Sequence, residues 1–154
     1  VGEVFDAQGF WRPPAQGTQR LWSPTPVAVP EVTRQRGDWT FEDAILLSLG
    51  FVWRDHFEAV PKGTRGYRSL VARVRERGAG VMWHHRITRN PSLYAHKMPK
   101  GVTAQPYTAL VSVGDLLGDT GLAAVGQSRH LGGGLLVPAD LPIELAQNVL
   151  GRRP

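Results

Sequence analysis

The chain has 154 residues, 42% of them hydrophobic, a formal charge of +5 and no cysteine. That size suits one domain with its own core and makes two full domains crowded, while the absence of cysteine excludes disulfides and thiolate metal sites. No apolar run approaches the roughly 18 residues of a membrane span and no secretory signal opens the chain, so no membrane partner and a reducing, cytoplasmic setting are expected.

The first residue is Val1, which suggests a portion of a longer product. Residues 1–37 carry Pro13, Pro14, Pro24, Pro26 and Pro30 together with four glycines, so no long helix survives there. They read as an extended arm with an edge strand over Leu21–Val29, anchored by Trp11 and Trp22, ahead of one domain over 38–154. Thr40 is placed to cap a helix, with Glu42 and Asp43 in its first turn. Phe41, Ala44, Ile45, Leu49, Val52 and Trp53 recur at helical spacing, which predicts a helix over about 40–57. Ser48 is the one polar residue on that stripe.

Leu70–Arg75 alternates enough to predict a strand, and Glu76–Gly80 a turn. Val81–Thr88 predicts a second strand, so the two together form a basic hairpin. Val81, Trp83, His85 and Ile87 then share one face, and Met82, His84, Arg86 and Thr88 the other. On this reading Trp83 belongs to the core. Arg89–Gly101 is a loop, and Tyr107–Val113 is a strand by its β-branched and aromatic content. Gly114–Thr120 is a turn or short helical piece. Leu122–Val125 leads into a glycine-rich loop, Leu135–Val137 leaves it, and Leu141–Leu150 forms a short terminal helix. This order predicts an α+β fold: an antiparallel sheet with a packed helix, in a ferredoxin-like or RRM-like layout.

Charge is concentrated in one block. Between Lys62 and Lys100 lie ten Lys or Arg and one acid, Glu76, a local charge of +9 against −4 for the rest of the chain. A polyanion is the natural partner of such a block. Arg73, Arg75, Arg86, Arg89, Lys97 and Lys100 are the expected phosphate contacts. Tyr94, in a loop beside His96, is the residue expected to stack on an unpaired base.

The glycine loop holds Gly126, Gln127, Ser128, Arg129, His130, Gly132, Gly133 and Gly134. Its glycines permit positive φ and close approach, and its amides can form an anion-binding concavity. It ends in no Lys-Ser/Thr and opens no helix, so it is neither a nucleotide P-loop nor a dinucleotide fingerprint. No cofactor is expected, and none of the five histidines has metal-ligand spacing, so no metal is expected either. A metal-independent ribonuclease needs only a histidine to move a proton and a cation to stabilise the phosphorane. His130 with Arg129, or His84 with Arg86, supplies that minimal pair. A glycine bulge with no ligand accounts for the same loop.

The run Gly126–Pro138, with its Arg129-His130 and its glycine cluster, resembles the C-terminal glycine-rich loop of the RAMP proteins of CRISPR systems. It is most similar to the C-terminal, repeat-processing part of the fused RAMP subunit of type I-U/I-G systems. Leu21-Trp22-Ser23-Pro24-Thr25-Pro26-Val27 resembles the strand that precedes this domain there. The resemblance implies a ferredoxin-like domain, CRISPR repeat RNA as ligand, other subunits of an RNA-guided surveillance complex as partners, and in some members cleavage by a general-base histidine. Two expectations stay open: a domain that binds and cuts repeat RNA, with His130 first and His84 second as base, and a non-catalytic assembly subunit that holds RNA or a neighbouring protein.

Overall fold

A computed structural model describes residues 4–33, 37–61, 63–96 and 103–150. A short α1 (Gln8–Trp11) precedes β1 (Thr18–Thr25). Then come α2 (Phe41–Val52), α3 (Gly63–Glu76), β2 (Ala79–Arg86), β3 (Tyr107–Val113), β4 (Leu135–Pro142) and α4 (Ile143–Leu150). The strands form one antiparallel sheet in the order β2-β3-β1-β4. The fold is therefore α+β. No helix among the described residues is long and apolar enough to cross a membrane.

α2 begins as expected from Thr40. The Thr40 hydroxyl accepts from the Asp43 N–H (3.1 Å) and the Asp43 carboxylate accepts from the Thr40 N–H (2.7 Å), a reciprocal capping box. Every residue from Asp43 to Gly50 is buried, because one side of α2 meets the sheet and another meets α3. Gly50 marks that crossing, since a Cβ there would meet the Leu70 side chain.

The predicted basic hairpin is replaced by a helix and a strand. Leu70, Val71 and Val74, with Gly66 a turn earlier, are the buried positions of α3, a spacing that only a helix brings to one side. Arg73 and Arg75 close the last turn, where cations suit the helix dipole. The expected edge strand is also corrected. β1 lies inside the sheet, paired with β4 along its whole length and with β3 at Trp22↔Val111. The chain touches β3 again at Ala28↔Tyr107, and Pro24 and Pro26 fall between these two points of pairing with β3. Trp22 is a core anchor at 1% exposure, whereas Trp11 is largely exposed.

One face of the sheet carries Trp22, Val111, Ala109, Tyr107, Val81 and Leu136, all buried in the core with α2 and α3. A β-bulge at Met82 changes the alternation along β2. Val81 opposes Val111, but past the bulge Trp83 opposes Leu110 and His84 opposes Ala109. His84 therefore turns toward the helices, and Trp83 and His85 turn to the outer face. The expectation that Trp83 is a core residue is overturned: it is 55% exposed. α4 packs on β4 and β1, and Ala146 within it is fully buried.

Candidate nucleic-acid interface

The glycine loop folds back onto the chain that leaves β1. The Gln127 N–H donates to the Val29 carbonyl (2.8 Å) and the Gly134 N–H to the Val27 carbonyl (3.0 Å). Inside the loop, the Val125 N–H donates to Gly134, that of Arg129 to Gly126, and those of Leu131 and Gly133 to the Ser128 carbonyl. Gly126, Gly132 and Gly134 have φ of 86°, 87° and 70°, the left-handed region. A Cβ on Gly126 would meet the Val29 backbone, and one on Gly134 the Val125 carbonyl. The glycines thus serve a close approach between two segments of this chain, and these amides are spent within the protein rather than on an anion.

Arg129 continues the same pattern. Its guanidinium donates to Glu31 Oε1 (2.7 Å) and to the Gly126 carbonyl (3.0 Å). Glu31 Oε2 in turn accepts from the Ser48 hydroxyl at 2.5 Å. This Arg129–Glu31–Ser48 chain ties the loop to α2. Behind it lies Tyr107, fully buried, whose hydroxyl lies beside that of Ser48 without a well-formed hydrogen bond among the described residues. Burial, and then the Glu31 carboxylate, hold its pKa well above the usual tyrosine value. Neither Glu31 nor Tyr107 was expected at the site from sequence. The single available signal was Ser48, the polar residue on an otherwise apolar stripe.

On its other side the loop faces a 3-10 turn at Pro91–Tyr94. The Ser128 hydroxyl donates to the Tyr94 carbonyl (3.2 Å). Between the two lies a cleft of about 410 Å³, lined among others by Pro26, Tyr94, His96, Ser128, Leu131 and Gly132. Leu93 and Leu131 are exposed at its rim. The structure therefore brings Tyr94, Ser128, Gly132 and Gly133 to one cleft. His130 is exposed on the 3-10 turn Arg129–Leu131 and does not line it.

The remaining site candidates lie elsewhere. The His84 ring stands 5.3 Å from that of Phe41, with Nδ1 buried and unpartnered, and the Arg86 guanidinium lies 5.3 Å over the same Phe41 ring. Arg73 reaches Glu58 (3.9 Å) and Arg75 binds Asp43 (2.7 Å), both from α3 rather than from a hairpin. Arg89 is exposed in the turn after β2, and Lys97 and Lys100 fall outside the described residues. Among the described residues, Arg86 and Arg89 form no ion pair. No protein-family model, curated protein or solved structure matches this chain.

Proposed function

We propose that this chain is an RNA-binding domain of the RAMP type, and that it holds CRISPR repeat RNA within a surveillance complex without cutting it. The observation that carries the reading is the position of the glycine loop, which leads into β4 of a sheet ordered β2-β3-β1-β4. β1 and β2 each run antiparallel to β3, which lies between them, so they are parallel to one another. A helical connection between parallel strands with a third inserted supports a ferredoxin-like, split βαβ layout. The second helix of that layout is replaced here by the irregular segment 114–134.

Holding is favoured over cutting by the state of Arg129. A guanidinium already paired with Glu31 has little charge left to stabilise a phosphorane. His130 then stands on the surface without its cation. Stretches of cation without matching acid supply the attraction for the RNA backbone, and such binding weakens steeply with salt.

Labelled repeat RNA mixed with the protein in EDTA, at low and at high salt, tests this. The expected result is a salt-sensitive complex with intact RNA. Product formation that disappears in His130→Ala would overturn the holding role and establish that histidine as the base. Absence of a complex at either salt would overturn the RNA reading itself and leave a protein partner.

A further inference from the structure

We propose that Trp83 and His85, on the outer face of β2, form a stacking platform for an unpaired base of single-stranded RNA. The proposal rests on the RNA-binding reading above and names the form of RNA that this face takes. The two rings are nearly parallel, at 11°, with centroids 6.4 Å apart. That separation is about the distance between residues i and i+2 of a strand, so the strand itself sets the spacing. It is also roughly twice the ~3.4 Å step between successive bases in a nucleic-acid strand. One planar ring fits such an interval, and a second covers the exposed outer face of the indole.

The bulge at Met82 is what creates this pair. Without it, strict alternation from Val81 would turn Trp83 into the core and leave His84 outside. An indole 55% exposed on an edge strand leaves a large apolar ring in water with only His85 beside it. Across β3 the facing residues are Leu110 and Thr108, which offer a low-relief, uncharged floor.

Charge selects the occupant. Residues 77–114, which contain all of β2 and β3, hold five Lys or Arg and no Asp or Glu. Arg86 follows the ring pair on the opposite, helix-facing side of β2, over the Phe41 ring, and Arg89 lies in the turn beyond; neither carries a carboxylate partner among the described residues. Aromatic rings beside unneutralised cations are the combination that binds single strands, where rings take bases and cations take phosphates. A duplex, with its bases already stacked, gains nothing from the rings.

The test uses fluorescence anisotropy with three probes: a labelled single-stranded uridine-rich RNA, the same length of abasic sugar-phosphate chain, and an RNA duplex. Trp83→Ala is expected to weaken binding of the base-bearing strand about 5- to 100-fold, the usual effect of losing one aromatic stacking partner. Binding of the abasic chain and of the duplex should stay unchanged, and Trp83→Phe should retain most of the affinity. Equal affinity of wild type and Trp83→Ala for the base-bearing strand would overturn the platform while leaving the RNA-binding reading intact. Failure of the wild type to bind any of the probes would overturn both. Trp83 is exposed, so its replacement leaves the core in place, and an unchanged unfolding midpoint verifies this.

Discussion

Arg129 governs what the glycine loop can offer a ligand. Its side chain is about a quarter exposed, and its charge is already matched by Glu31 at 2.7 Å. Glu31→Gln removes the counter-charge and leaves the guanidinium facing a neutral amide. Stability should then fall by about 1–3 kcal/mol, as expected for a half-buried charge that loses its partner. The freed cation should at the same time tighten RNA binding at low salt. Urea unfolding and RNA titration read the two effects separately: unchanged stability would refute the loop-tethering role given to Glu31, and weaker RNA binding would refute its masking of Arg129. Tyr107, behind the same group, makes a second prediction. Its folded pKa lies above the unfolded value of about 10, so both states are neutral at pH 7 and the tyrosine contributes no pH dependence there. As pH rises through about 10 the unfolded chain loses the proton while the folded one keeps it, and stability falls as pH rises further. Tyr107→Phe should flatten this alkaline decline. It should cost about 1 kcal/mol or less at pH 7, because the contact of the lost hydroxyl with Ser48 falls short of a well-formed hydrogen bond. Unfolding midpoints of both proteins at neutral and alkaline pH check it.

At the scale of elements, the loop before β4 is built on one steric requirement. Gly134 combines φ of 70° with a backbone approach to Val125 that leaves no space for a Cβ. Gly134→Ala should therefore destabilise by at least about 2 kcal/mol, from left-handed strain and overpacking together. Gly132, at φ of 87° but with open space around it, should lose only the strain component on the same change, so calorimetry of the two variants separates the contributions. These glycines are legible in sequence as a special loop, but their purpose is not, because Gly126 packs on the backbone of Val29 and Gly134 donates to Val27, about a hundred residues earlier. β3 is plainly legible, since Tyr107, Ala109, Val111 and Val113 alternate inward with nothing to interrupt them. The start of α2 is equally so, because a capping box is local chemistry. α3 is obscured because its buried residues are few, and Ala72-Arg73-Val74-Arg75 taken alone alternates between apolar and basic. The outer placement of Trp83 is invisible to any period-2 reading, because one extra residue at Met82 reverses every side chain after it. The pairing of Arg129 with Glu31 exists only in three dimensions.

For the whole molecule, the basic block is smaller electrostatically than its composition suggests. Arg68, Arg73, Arg75 and Arg77 are bonded to Asp38, Glu58, Asp43 and Asp115 respectively, so much of the charge from α3 is answered by acids from the rest of the chain. Asp38 shows the effect directly, its pKa lowered by the hydrogen bond from Arg68. Arg86, over the Phe41 ring at the end of β2, and Arg89, in the turn after it, are exposed and form no ion pair among the described residues. This division predicts the salt dependence of the proposed RNA binding. Each phosphate contact to a single strand contributes about −0.7 to the slope of log K against log salt. Arg86→Ala and Arg89→Ala should each flatten the slope by about that amount. Arg77→Ala removes a charge that Asp115 already compensates and should leave the slope nearly unchanged. Affinities of the three variants, measured across a salt series with one single-stranded RNA, decide the matter. Equal flattening by all three would mean that the ion pairs open on binding and that the full block faces the RNA. Flattening confined to Arg86 and Arg89 would place the RNA path at the C-terminal end of β2, where Arg86 lies on the helix-facing side and the rings of Trp83 and His85 on the other.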